Sequence, residues 1–397
     1  MRRPWQTISI SLAATALFAA AVQADSPWDR LAAKVPRDAN AVVLMNIEKL
    51  LASPIAQRDG WAGKLERAFE AGLNALPPSA TLVLEAADLD FETWQPRFEL
   101  ALLALDRDVS LANLARQSHG RTDTVVKLEA VVLPQDAYIV ALEHRLVAGL
   151  SPANRQATVR WLREIDGREQ SQLSPYLAAA VREAGHIDIV EALDMRDAVP
   201  ADVIRAVVGN SQAVAAAKPA PDVEKLVGLL SMLEGVTFEV VFKEQAHARF
   251  LVDFQQDAEP LAAIGKPLLL EILRSHGAWI ADFDGWKASI ERQRFVLTGT
   301  LTPTGLRKIL SLIEAPIATF TAPGQPVANS GSSSAAATAS HAYFRAVQTV
   351  LADARAEAKD SVTLGQNAAW LDRWARKIER LPILDVDPEL LNYGDFV

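Results

Sequence analysis

The chain has 397 residues, 50% of them apolar, and a net charge of −9. That length holds about two or three ordinary domains, and without a long basic run it lacks the electrostatic footprint of nucleic-acid binding. The lack of cysteine excludes disulfides, thiolate metal sites, a cysteine nucleophile and a lipid-modified N-terminal cysteine.

Arg2 and Arg3 precede an apolar stretch from Ile8 to Val22, and Val22 and Ala24 take the small positions of a cleavage site in AVQA. The pattern predicts a signal peptide over 1–24, cut after Ala24, and export to the periplasm or beyond. The apolar run is shorter than the roughly 20 residues of a spanning helix. No integral membrane span is therefore expected after cleavage.

Residues 25–166 read as a first α+β unit. AVVLMNIE (41–48) is a strand, and a helix follows over 61–73. TLVLEAADLD and RFELALLALD are strands, the second with Phe98, Leu100, Leu102 and Ala104 on one face. VSLANLARQSHG is a helix stopped at Gly120. VVKLEAVVLP, YIVALE and RLVAGL are three strands, and a helix over 152–166 closes the unit.

Residues 167–314 read as a second unit in similar order. HIDIVEALDM is a strand, PADVIRAVV a helix, and VEKLVGLLSMLEG a helix stopped at Gly235. VTFEVVFKE puts Phe238, Val240 and Phe242 on one face, and ARFLVDFQ does so with Phe250, Val252 and Phe254. Pro267 inside the helical stretch 259–275 predicts a kink or two short helices. KASIER and RFVLTGTL form a hairpin before a closing helix at Thr302-Pro303.

Three landmarks recur in order. Arg97-Phe98 and Arg249-Phe250 stand 152 residues apart, the SHG triplets at Ser118 and Ser275 157, and Ser151-Pro152 and Thr302-Pro303 151. This spacing predicts an internal duplication. Aligning the Pro steps matches Leu146 with Leu297, Leu150 with Leu301, Val159 with Leu310 and Leu162 with Ile313. Strands separated by two to five residues pair as antiparallel hairpins, since parallel neighbours need a long crossover. The expected fold is α+β: two related units of antiparallel hairpins covered by helices.

Residues 315–340 are rich in Pro, Gly, Ser, Ala and Thr without charge, and read as a flexible linker. A C-terminal helical module follows over 341–397. Phe344, Val347, Leu351, Ala354 and Ala358 share a helix face, as do Leu364, Asn367, Leu371, Trp374, Ile378 and Leu381, predicting an αα-hairpin. The last stretch, ILDVDPELLNYGDFV, is expected to be extended and then turned.

No two of the six histidines lie three to five residues apart, so zinc-protease and zinc-finger spacings are absent. His119 and His276 fall at helix ends, where an imidazole meets the last carbonyls. There is no GxSxG, Walker A or GxGxxG motif. ADFDGW (281–286) and LDVDPE (384–389) lack the EF-hand ligand pattern and read as turn and capping aspartates. Trp61, Trp94, Trp161 and Trp286 read as core. Trp370 and Trp374, beside Arg373, Arg376 and Lys377, either pack the hairpin or form an aromatic-basic docking face. No catalytic, cofactor-binding or metal-binding residue is assigned.

VPRDANAVVLMNIEKLLASP (35–54), IGKPLLLEILRSHGAWIADFDGWKASIE (264–291) and WLDRWARKIERLPILDVDPELLNYG (370–394) carry a further signal. Through them the chain resembles uncharacterised exported proteins of planctomycete-type bacteria. The resemblance spans most of the mature chain and implies an exported protein with a domain of unknown function. It brings no activity, cofactor or catalytic residue. The expected function is a non-catalytic binding or scaffolding protein of the cell envelope, with an envelope protein as partner. The alternative is an exported hydrolase whose site is assembled from distant residues.

Overall fold

The computed structural model describes residues 26–70, 76–91, 95–117, 120–134, 136–276, 278–312, 332–360 and 386–397, with scattered positions between 368 and 381. The expected signal peptide and most of the expected linker lie outside these residues.

The α+β class holds, but the strands of both expected units join one sheet. The strands are β1 (Ala41–Asn46), β2 (Ala80–Asp90), β3 (Gln95–Leu105), β4 (Arg121–Val125), β5 (Leu128–Leu133), β6 (Ala137–Glu143), β7 (Leu146–Ser151), β8 (Ile189–Asp194), β9 (Leu233–Phe242), β10 (Ala246–Phe254), β11 (Lys287–Glu291) and β12 (Arg294–Leu301). Their order is β11-β12-β10-β9-β8-β1-β2-β3-β7-β6-β5-β4. Every ladder is antiparallel, including the central pairing of β1 with β8, which runs from Ala41↔Leu193 to Met45↔Ile189. Outward from this seam one side reads β1-β2-β3-β7-β6-β5-β4 and the other β8-β9-β10-β12-β11.

Side chains alternate between two faces. On the back face Val42, Leu44, Leu84, Leu100, Leu102, Val140, Ala148, Val190 and Ala192 form one core that crosses the seam. Three helices cover it: α1 (Pro27–Ala32), α6 (Arg155–Ile165) and α7 (Pro175–Glu183). The front face carries two cores. Val83, Ala101, Leu103, Val131 and Ile139 pack with α5 (Leu111–Gln117). Ile189, Phe238, Val240, Phe242, Phe295 and Leu297 pack under α8 (Ala201–Asn210), α10 (Val223–Leu230), α11 (Gly265–Ser275) and α13 (Pro303–Leu312).

Local chemistry explains most boundaries. Ser174 caps α7 by accepting the Leu177 N–H at 3.3 Å, with Pro175 at its first position; the sequence reading missed this helix. The stretch 259–275 is split as one alternative had it, into a 3₁₀ turn (Glu259–Leu261) and α11, whose first turn holds Pro267 without a kink. The expected single strand VVKLEAVVLP breaks at Val126 and Lys127, with φ of 49° and 69°, and β4 and β5 form a separate hairpin.

Gly235 is not a helix stop. It lies in β9, where a Cβ would sit 2.4 Å from both the Leu193 carbonyl oxygen and the Tyr176 ring. The ring lies there because the Tyr176 hydroxyl reaches Thr237 Oγ1 and Asp253 Oδ2, each at 2.9 Å, on the back face of β9 and β10. Arg294 Nε closes that network onto Asp253 at 2.6 Å.

The Pro landmarks do not mark equivalent positions in the sheet. Thr302 Oγ1 caps α13 with Pro303 at its first position, whereas α6 starts at Arg155, behind an Asn154 cap, three residues after Pro152. Leu146 belongs to the back core and Leu297 to the front. The residue on the fourth strand from the seam in Leu297's row is Gly149, through Ala101, Glu85 and Val43. Gly149 and Leu297 stand 148 residues apart, as do the starts of β1 and β8 and of α6 and α13. Arg97 likewise precedes the paired span of β3 and β7, while Arg249 lies inside its ladder.

The long helix α14 (Ser332–Asp360) begins inside the expected linker. Its buried stripe is Tyr343, Val347, Val350 and Ala354, packed with Trp374, Ile378 and Val386; Phe344 and Ala358 are exposed. Residues 388–396 are helical rather than extended, because Asp387 accepts the Glu389 N–H at 2.8 Å and Pro388 occupies the first position.

The glycine requirement at 235 is testable. Gly235→Ala forces Tyr176 off Asp253 and should lower stability in urea unfolding by about 1–3 kcal/mol, whereas the exposed Gly209→Ala should not destabilise.

Candidate functional site

A cleft of about 610 Å³ opens at one end of the seam, where β1 and β3 begin and β2 and β8 end. Its lining includes Asn40, Asp90, Phe91, Arg97, Asp194, Arg196 and Asp197. Asn40 acts as a further rung between β1 and β2: its Nδ2 donates to the Leu89 carbonyl at 2.8 Å and its Oδ1 accepts the Leu89 N–H at 2.7 Å. The Asp194 N–H donates to the Asn40 carbonyl at 2.8 Å, which ties β8 to the same point.

The two cleft guanidiniums are held from opposite halves. Arg97 on β3 reaches Asp88 at 3.4 Å and Asp90 at 3.3 Å. Arg196 follows β8 and reaches Glu234 Oε1 at 3.1 Å. The turn after β8 closes through the Ala198 N–H to the Met195 carbonyl at 3.1 Å. Asp197 within it has φ 57°, a region that Asp tolerates better than most residues. A smaller pocket of about 260 Å³, lined by Val199, Pro200, Leu230 and Leu233, shares Asp197 and Ala198 with the cleft. The cleft thus offers fixed charges of both signs on strand ends, suited to holding a polar surface.

Further along the same strands, three carboxyl groups share the front face. Glu85 and Glu191 flank Val43 from β2 and β8, and Glu99 lies one row away on β3. Glu85 is 6% exposed and its Oε1 has no hydrogen-bond partner among the described residues. Burial, with Glu99 and Glu191 adding, pushes the Glu85 carboxyl up to about 8. Burial takes Glu191 up to about 7. A neutral Glu85 avoids the large cost of an unpaired buried charge.

The positions singled out in the sequence fall elsewhere. Trp374 is 3% exposed inside the C-terminal cluster, so its ring serves packing, and the exposed Lys377 stands 5.0 Å over it. Trp370, Arg373 and Arg376 lie outside the described residues, as do Trp94 and His119. Trp161 and Trp286 are buried, and Trp61 packs edge-on to Phe242 at 5.5 Å. His276 Nδ1 meets the Ile272 carbonyl at 2.9 Å at the end of α11. Asp282 accepts the Thr302 N–H at 2.8 Å and Asp284 pairs with Arg274 at 3.0 Å, which is turn and capping chemistry. Among the described residues no group of three or more His, Asp or Glu side chains is placed to hold a metal ion, and no helix is long and apolar enough to cross a membrane. The cleft went unseen in the sequence, where Arg97 served only as a landmark.

No family model matches the chain, and no curated protein does. Three crystal forms of TP0453 are similar to it. Form III aligns at 11% identity and a TM-score of 0.43, and form I at 12% and 0.41, each covering 71% of this chain and 97% of TP0453. Form IV aligns at 10% and 0.36, covering 70% and 96%.

The raised Glu85 pKa gives stability that is full below the ordinary value of 4.5 and is lost as pH rises to about 8. Wild-type unfolding free energy should therefore fall across that window. Glu85→Gln should flatten the fall, by on the order of 3 kcal/mol between about pH 5 and pH 9. Chemical denaturation at a series of pH values measures it; parallel profiles would show that Glu85 is ionised in the folded protein.

Proposed function

We propose that the chain is an exported cell-envelope protein that binds or scaffolds another protein through the cleft at the seam. The observation that carries this reading is the cleft's lining: two guanidiniums and three carboxylates on strand ends and turns, with no hydroxyl, imidazole or amine among the described lining residues. Such a set forms ion pairs and hydrogen bonds with a partner surface. A hydrolase built on a serine, threonine or histidine finds no such group among the described lining residues. Export rests on the charged and apolar pattern of residues 1–24. We also read the halves as copies of one unit, supported by the matching order of the first five strands outward from the seam, beyond which only one half adds β5 and β4, and by the recurring separation of 148 residues.

The test combines capture with localisation. Arg97 is 65% and Arg196 45% exposed, so their ion pairs add little stability and the double variant Arg97→Ala/Arg196→Ala should fold. Pull-down from envelope extracts should recover a partner with wild type and at least about ten-fold less with the variant. Equal recovery would overturn the cleft as the binding surface. N-terminal sequencing of the fractionated protein should begin at Asp25; an intact N-terminus in the cytoplasm would overturn export.

A further inference from the structure

The open sheet ends in two edges, and the sequence treats them differently. At β4 the edge is closed. The β4–β5 ladder runs from Val125↔Leu128 to Arg121↔Val132, and the two-residue turn directs Val125, Asp123 and Arg121 inward. The outward backbone groups therefore belong to Thr122 and Thr124. Thr124 is occupied twice: its N–H donates to Asp123 Oδ1 at 2.8 Å, and its carbonyl accepts Arg155 Nη2 at 3.0 Å. A second β4 laid antiparallel about Asp123 would also set Asp123 against its own copy. These are the devices by which natural sheets blunt an edge.

The β11 edge has neither of these two; it is short and charged, with Lys287 at one end and Glu291, 4.0 Å from Arg249, at the other. Its ladder with β12 runs from Glu291↔Arg294 to Lys287↔Thr298. By the same rule Glu291, Ser289 and Lys287 bond inward, and Ala288 and Ile290 turn their N–H and C=O groups outward. Among the described residues no side chain bonds to these groups, and Lys287, Ala288, Ser289 and Glu291 are all exposed.

The segment Lys-Ala-Ser-Ile-Glu is complementary to itself when read antiparallel. A two-fold axis at Ser289 sets Lys287 opposite Glu291 of a second copy and Glu291 opposite its Lys287, both on the back face. Ala288 then pairs with the second copy's Ile290 in a hydrogen-bonded register that uses the outward groups. On the front face Ile290 already packs against the core under α11, and its row would continue into the second molecule. We propose that two copies of the chain join antiparallel through β11 about this axis, extending the sheet across an isologous dimer.

Sedimentation velocity over a dilution series of the full chain tests it, with thermal melts as a check on folding. Wild type should shift from monomer to dimer as concentration rises. Lys287→Glu and Glu291→Lys each set like charges across both pairs, and each should weaken dimerisation on the order of ten-fold. An equimolar mixture of the two variants should dimerise again, because one copy then presents two glutamates and the other two lysines. Ala288→Pro removes an outward N–H while leaving the β12 ladder intact, and should abolish the dimer without unfolding the chain. A wild type that stays monomeric throughout would overturn the proposal. So would a dimer indifferent to all three substitutions, or a mixture that does not recover.

Discussion

The pairing of β1 with β8 is the constraint on which the rest of the molecule depends. Five residues on each strand join two sets of hairpins into one sheet. Without that ladder each set would end in a raw edge of unpaired backbone groups next to its most buried residues. The back core reaches over the seam because Val42 and Leu44 on β1 lie beside Val190 and Ala192 on β8, under α7. α7 then reaches further, setting Tyr176 onto Thr237 and Asp253. The cleft is a consequence of the same pairing. One wall comes from β2 and β3, the other from the turn after β8, and the Asp194 bond to the Asn40 carbonyl joins them.

The front face shows what the seam costs. Two apolar cores lie to either side, and between them sit Val43 and the flanking carboxyls of Glu85 and Glu191. In that row the cores do not meet, because it carries acids in place of apolar side chains; one row along, Met45 lies between Val83 and Ile189 and packs against both. Protonation reconciles those acids with burial, so the middle of the sheet is tied to pH.

Much of the fold was legible because hydrophobic alternation of period two survives in long strands. Phe238, Val240 and Phe242 do share the front core, and the β2–β3, β6–β7 and β11–β12 hairpins lie where short spacers put them. What failed did so for local reasons. The Val126-Lys127 turn takes positive φ without the Gly or Asn that signals it. Gly235 looks like a helix stop but makes room for a tyrosine ring. Pro152 looks like a helix start, but Asn154 has that role, and the three-residue error places Leu146 and Leu297 on opposite faces. For Trp374 the sequence left packing and docking both open, and its place among buried neighbours in the C-terminal cluster is the packing one. The seam itself leaves no local signature, since any two apolar strands can pair. The cleft residues, which only that pairing assembles, could not be picked out beforehand.

Native-state hydrogen exchange separates local, sub-global and global opening, and so reports whether the β1–β8 ladder joins the halves. If the β1–β8 ladder fuses the halves into one cooperative unit, the protected amides of β1 and β8 should exchange only by the global route. They should then share one opening free energy with the core amides of β3 and β9. If instead one half opens while the other keeps its protection, with the seam amides following the weaker half, the halves are independent units in contact and the account is wrong.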